Sequence, residues 1–264
     1  MQKVPWRPVL DRRVQHFLDL IYVATEKDLK VRYKSSFLGY LWSIAHPLSL
    51  ALVFYFAFKM IMKIKLEAYA LFLITGLFPW QWLSNSVTYS TGVFLSNSSL
   101  IKKVNFPRSV LVFALVLQDM IHFAFAVPVI VLFKFVYGHP FHISWLYGLP
   151  LLLIVQFGLA FGIALMLASA NLFFRDLERL TVILMTLLFY MTPVFYPEHL
   201  VPSHYRPFIV LNPMAPLIIS WRNVLFTGNV NVTYLLASVG YSALAVLVGH
   251  KTYKRLSWKF AEVL

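Results

Sequence analysis

Long uncharged runs dominate the pattern of this chain. Residues 37–58 contain no Asp, Glu, Lys or Arg, and residues 68–101 stay uncharged for 34 positions. A helix needs about 20 apolar residues to cross the hydrocarbon core of a bilayer. These runs therefore predict a first span over 37–58 and a second over 69–92, with a more polar sequel emerging beyond the membrane. Residues 109–133 carry one charge, Asp119, and predict the third span; the breaker Gly138-His139-Pro140 separates it from a fourth over 145–170. Residues 180–197 suffice for a fifth span and 233–249 for a sixth. Between these two, residues 207–221 are apolar for only 15 positions, are interrupted by Pro213 and Pro216, and lie between Arg206 and Arg222. That is too short to cross and suits a re-entrant or interfacial segment. Ahead of the first span, Val14, Phe17, Leu18, Ile21 and Tyr22 recur at helical spacing, with Arg12, Arg13, His16, Asp19 and Glu26 on other faces and Asp11 placed as N-cap. This is the pattern of an amphipathic helix lying in the membrane interface.

The expected fold is thus an all-α integral membrane protein. Residues 1–36 form a cytoplasmic N-terminal amphipathic interface segment, 37–250 a six-helix transmembrane domain with re-entrant helices within 192–221, and 251–264 a basic cytoplasmic tail.

Composition agrees with the bilayer as solvent. Sixty per cent of residues are hydrophobic, 12% are charged and mean hydropathy is +0.73, whereas a soluble domain carries about 25% charged residues. The net charge of +13 does not imply nucleic acid, because the cations are sorted by membrane side. With both termini cytoplasmic, 17 of the 23 Lys and Arg residues fall inside, following the positive-inside bias. A seventh span over 207–221 would put the basic tail outside. The first 36 residues have mixed charge and no apolar core followed by a small-residue cleavage site, so the first span is expected to direct insertion. The chain has no cysteine, which excludes disulfides, thiolate metal sites and thiol catalysis.

The segment entering the first span carries Arg32, Tyr33, Ser36, Leu38, Gly39 and Trp42 in the spacing R-Y-x-x-S-x-L-G-x-x-W. It resembles ABC-2 type permeases that export polysaccharides such as O-antigen, capsule and teichoic acid, O-antigen exporters above all. The resemblance continues in Asn105-Phe106-Pro107-Arg108, Phe174-Arg175-Asp176-Leu177, Thr192-Pro193-Val194-Phe195-Tyr196-Pro197 and Leu211-Asn212-Pro213. It implies a homodimeric permease of the bacterial inner membrane that sits on two ATPase subunits and moves a glycan, often polyprenyl-linked, outward. No G-x-x-x-x-G-K-[ST] motif occurs, so ATP and Mg are expected on the partner chain, with no cofactor or metal in this one.

Several groups of residues carry candidate mechanism. Ser98, Ser99, Leu100, Ile101, Lys102, Lys103 and Val104 form a short segment suited to dock into an ATPase cleft, though a solvated basic loop would look the same. Arg175 and Asp176 offer a second contact, and the i,i+3 pairs Arg175 to Glu178 and Asp176 to Arg179 would stabilise a local helix. Gln81, Asn85 and Thr88 line one helical face, unsuited to lipid and expected to face a pore or another helix; Gln81 and Asn85 are assigned to a glycan pathway. Tyr40, Tyr55, Trp80, Trp82, Tyr89, Phe189 and Tyr190 could stack on sugar rings along a glycan pathway, or serve as core and interfacial aromatics. Pro193, Phe195, Tyr196, Pro197, Asn212 and Pro213 are assigned to an outer gate, with a passive cap as the alternative. Asp119 and His122, three apart within a span, read as a packing pair rather than a proton relay, and Gly158-x-x-x-Gly162 as a close helix contact. Scattered His residues and the absence of paired intramembrane carboxylates leave no catalytic constellation. The expected function is the permease subunit of an ATP-driven polysaccharide exporter. The rivals are an ABC-2 permease for a drug or lipid and an ion-coupled transporter.

Overall fold

The computed structural model describes residues 19–23, 25–26, 41–63, 65–104, 106–205 and 211–263, and among these every regular element is helical. Helix α1 (Trp42–Phe54) continues through a π-helical stretch, Tyr55–Ile61, and α2 covers Tyr69–Ser90. Two short helices follow, α3 (Val93–Ser96) and α4 (Ser98–Lys103), then α5 (Ser109–Val136), α6 (Ser144–Asn171) and α7 (Leu177–Met191). Helix α8 (Met214–Arg222) runs into a π turn, Asn223–Thr227. Helix α9 (Val232–Leu256) ends in a 3-10 turn, Ser257–Lys259, and α10 (Phe260–Val263).

Among the described residues, four helices are long and apolar enough to cross a membrane: Ile44–Ile61, Ser109–Val136, Ser144–Asn171 and Val232–Lys259. They coincide with the first, third, fourth and sixth expected spans. Helix α2 has 22 residues, about 33 Å at 1.5 Å per residue, but the hydroxyls and amides of its second half dilute its hydropathy. Helix α7 has 15 residues, about 22 Å, and stops six residues short of the expected end. Thr192 turns to extended backbone at ψ 138° because the residue before a proline is driven out of the helical region.

Other boundaries have local causes. Gly138, at φ +67°, takes the left-handed position that ends α5. The Asn231 side chain caps α9 by accepting from the backbone N–H groups of Thr233 and Tyr234 at 3.0 and 3.3 Å. Gly228, at φ +74°, closes the π turn after α8, where a Cβ would overlap the His142 ring.

Helices α5 and α6 form the interior of the bundle, and α1 and α9 lie at its margin. The tightest seam joins α6 to α9. A Cβ at Gly162 would overlap the backbone of Ala245 and Val246, one at Gly249 the carbonyl of Gly162, and one at Gly158 the Ser242 hydroxyl. In an apolar solvent, helices associate through such close dispersion contacts. The close contact expected at Gly158 and Gly162 is therefore present, with α9 as its partner.

Of the amphipathic segment, residues 19–23 and 25–26 are helical. Ile21 and Thr25 are buried, whereas Tyr22, expected beside Ile21, is exposed. Val14, Phe17 and Leu18 lie outside the described residues, as do Arg32, Tyr33, Ser36, Leu38, Gly39 and Tyr40; Trp42 is described and exposed.

Candidate functional site

Chemistry gathers at three levels: one end of the bundle near Lys102, the middle, and the opposite end around Phe195. At that opposite end, side chains from two other elements hold three successive carbonyls of the turn after α7. Arg222 donates from Nη1 to Pro193 O at 2.7 Å and from Nη2 to Val194 O at 2.6 Å, and Tyr69 Oη donates to Phe195 O at 2.8 Å. The guanidinium also lies 3.8 Å over the Phe72 ring, and Gly76 makes room for it, since a Cβ there would fall 2.6 Å from Nη2. Arg222 is only 8% exposed. Burial lowers its pKa to about 9, opposed by the charge of Glu198, so it remains a cation at neutral pH. Its Nε has no hydrogen-bond partner among the described residues.

Asn212 joins the same turn by donating to Thr192 Oγ1 at 2.9 Å and accepting from Met214 N at 3.0 Å. The Phe195 ring packs among five others: Phe54, Phe58, Phe189, Tyr190 and Tyr196, with centroids 5.1–6.0 Å away. Burial raises the Tyr196 phenol above its ordinary value, keeping it a neutral donor, here to Tyr190 O at 3.3 Å. The structure thus brings Pro193, Phe195, Tyr196, Pro197 and Asn212 together, with Pro213 at the N-cap of α8.

In the middle, Gln156 is fully buried and bridges two elements. Its Nε2 donates to Pro79 O at 2.8 Å, and its Oε1 accepts from Trp221 Nε1. Ser86 donates to Asp119 Oδ2 at 3.0 Å, and His122 Nδ1 lies 3.7 Å from Asp119 Oδ1. Asp119 and His122 thus belong to a buried polar contact between α2 and α5. On the other side of α2, Gln81 donates to Asn85 at 2.7 Å. Gln81, Ser84, Asn85 and Thr88 are half-buried and Tyr89 exposed, so this face stays partly open.

The aromatic candidates divide. Tyr55 and Phe189 are half-buried and Tyr190 is exposed. Trp80 and Trp82 are buried, Trp80 against Phe189 at 5.5 Å and Trp82 stacked on Phe123 at 5.6 Å.

At the end near Lys102, Ile101 is 8% exposed and packs into the core, whereas Leu100 and Val104, on either side of the exposed Lys102 and Lys103, are themselves exposed. Ser99 is exposed and Ser98 half-buried. The outward face of α4 therefore carries Leu100, not Ile101, and Val104 lies exposed at its extended C-cap. Phe174, Arg175 and Asp176 are also exposed. Helix α7 begins at Leu177 with Asp176 as its N-cap, and neither expected pair is closed among the described residues.

Sequence reasoning missed Gln156, Trp221, Arg222 and Lys134. Lys134 is fully buried, donates to Leu225 O and Phe226 O at 3.0 and 3.3 Å, and lies 5.1 Å from the Trp145 ring. Trp145 Nε1 donates to Val224 O at 2.8 Å. In the sequence, Lys134 and Arg222 stand only as the ends of apolar runs. Each is a cation bordering an apolar run, and that was the available sign of a buried, carbonyl-capping role.

Residues 19–226 match the family model described as ABC-2 type transporter. The chain is 44% identical over 249 residues to an O-antigen export system permease protein of Klebsiella pneumoniae, covering 94% of this chain and 96% of the relative. A protein of the same description from Myxococcus xanthus is 28% identical over 96% of this chain and 98% of its own length. The polysialic acid transport protein of Escherichia coli is 24% identical over 84% of this chain and 86% of its own.

Proposed function

The chain belongs to the ABC-2 type transporter family, and from that membership we propose that it is the membrane subunit of an ATP-driven exporter of a cell-surface polysaccharide such as O-antigen. The observation that carries this is 44% identity across 94% of the chain to relatives named as O-antigen export permeases. The sequence has no nucleotide-binding motif, so two copies of a separate ATPase bind ATP and Mg and supply the energy. The outward face of α4 and the exposed loop at 174–176 are the surfaces offered to them.

Helices α2 and α7 complete six spans in the bacterial inner membrane, with both termini and the Lys102 loop cytoplasmic. Residues 192–221, including buried α8, re-enter from the outer face. Helix α7 leaves Leu180, Ile183, Leu184, Leu187 and Met191 uncovered, which supports a second copy as its neighbour. The half-open polar face of α2, with Gln81, Asn85 and Tyr89, is the stretch of pathway offered to a polyprenyl-linked glycan. Asp119 is engaged with Ser86 and His122, which weighs against the ion-coupled rival.

Deletion of the gene tests the reading. Loss of surface polysaccharide, restored by the gene on a plasmid, is the expected result. Intact polysaccharide with altered tolerance of a drug or altered lipid export would replace it with the drug or lipid rival. Cysteine labelling of the cysteine-free chain checks orientation: positions 103 and 255 should react only from the cytoplasm, and outside-only labelling would invert the topology.

A further inference from the structure

The tail after α9 was expected to be a basic cytoplasmic extension, yet one of its residues is seated inside the protein. The 3-10 turn Ser257–Lys259 continues from α9 and leads into Phe260, which is fully buried at 0% exposed. Four elements meet on that ring. Phe94 of α3 lies 5.1 Å away, Tyr253 of α9 6.0 Å and Phe173, just past α6, 6.4 Å. The Arg108 guanidinium sits 5.5 Å over the same ring and donates from Nη1 to Ser257 O at 2.7 Å. A further tie runs in parallel: Asn171, the last residue of α6, donates to Thr91 O at 2.9 Å, just ahead of α3.

This contact is selective within the tail. Trp258, two residues earlier, is 67% exposed and among the described residues has Lys259 over its face at 4.8 Å. Burial of Phe260 is thus not the general fate of the tail's aromatics. What Phe260 joins is also particular, because α3 leads directly into α4, and Phe173 leads directly into the exposed 174–176 loop. Both surfaces assigned above to the ATPase are therefore anchored on one ring. That ring is fixed to α9, and α9 is packed on α6 through glycine contacts in which backbone meets backbone.

We propose that Phe260, held by Arg108, is a positioning residue for energy coupling: it pins α3–α4 and the 173–176 loop to α9, so that displacement at the ATPase contact moves the α6–α9 pair as one body. The proposal rests on the reading of α4 as the ATPase contact. Without the pin, α4 would still bind its partner, but its movement would be dissipated in a loosened α3 and loop. Because coupling runs through packed elements with two discrete arrangements, loss of one rigid connection lowers transmission without abolishing assembly.

The test uses the full chain assembled with its ATPase in membranes, reading ATP hydrolysis and the appearance of labelled sugar in surface polysaccharide. Phe260→Ala should lower export per ATP hydrolysed roughly tenfold, within the range of ordinary site-to-site coupling, while hydrolysis and the amount of complex stay near those of the unaltered protein. Trp258→Ala should change neither. A second variant, Phe94→Cys with Phe260→Cys, should behave like Phe260→Ala until a short bis-maleimide bridges the two thiols. Export should then recover with bridging yield, a rescue that a purely stabilising contact would not show. Leu100→Asp runs alongside to test the coupling contact itself. Loss of coupling in Leu100→Asp with normal coupling in Phe260→Ala overturns the pin alone. Normal coupling in both overturns the pin together with the ATPase contact on which it rests. Export and hydrolysis falling together with the amount of complex, without recovery on bridging, also overturns the pin.

Discussion

Replacing Arg222 by Met keeps most of the side-chain length and removes the guanidinium. The buried carbonyls of Pro193 and Val194 then lose their donors, and an unsatisfied buried acceptor costs about 1–3 kcal/mol. The cation over Phe72 at 3.8 Å is lost as well, a contact worth about 2 kcal/mol when desolvated. Against this, the variant no longer has to bury a charge, a saving of several kcal/mol. Global stability therefore changes little. The lost hydrogen bonds fall on residues 193 and 194, whereas the saving falls on α8, so the turn is loosened while the bundle stays folded. Taking the low end of the carbonyl cost, about 2 kcal/mol for the two, the open population of the turn rises roughly 30-fold.

Val194 is fully buried, so Val194→Cys in the cysteine-free chain reports opening through its reaction with a membrane-impermeant maleimide added from outside. The reaction should be about 30-fold faster in the Arg222→Met background. Arg222→Lys should give an intermediate rate, since a single ammonium cannot serve both carbonyls in the guanidinium's fork geometry. Equal protection of the introduced thiol with and without the Arg222→Met change, in proteins of unchanged melting temperature, would show that Arg222 does not hold this turn.

Two further outcomes follow from the packing. Gly162→Ala should lower melting temperature sharply and Gly240→Ala should not, because a Cβ at Gly162 meets backbone of α9 while Gly240 has nothing within 4 Å; the cost exceeds the roughly 1–3 kcal/mol of ordinary overpacking, and equal stability of the two variants would refute the seam. Leu100→Asp should leave folding intact and uncouple hydrolysis from export, whereas Ile101→Asp, at a buried site, should reduce the yield of folded protein; normal folding of Ile101→Asp would contradict the inward placement.

The long apolar runs made the spans legible, and the errors have physical causes. The third span was ended at residue 133 because a charge follows, yet α5 continues to Val136 because the Lys134 ammonium is satisfied by carbonyls of the π turn after α8. Arg222 was read as a boundary for the same reason. A cation stops a span only where water must solvate it. The fifth span was drawn through Thr192-Pro193, where the backbone of the preceding residue resists helix. On α4, six residues are too few for periodicity to say which face turns inward, so Ile101 and Leu100 could not be told apart. The residues of the turn after α7 were legible as a group, because a cluster of prolines cannot form one helix. The side chains holding their carbonyls come from positions 69 and 222, and no local pattern links these to residue 193.

The glycine seam between α6 and α9 also sets a depth gauge. Sliding α9 by one turn, about 5.4 Å, in one direction would bring Tyr241 to the place of Ala245, and in the other Tyr253 to the place of Gly249. Tyr253 in the place of Gly249 would collide with the carbonyl of Gly162, where even a Cβ does not fit. Chains are made from the N-terminus, so α9 reaches the membrane after α6 is in place and finds a slot with a stop at this height. That height fixes how far the chain beyond Leu256 extends from the bundle, and so whether Phe260 arrives level with Phe94 and Arg108.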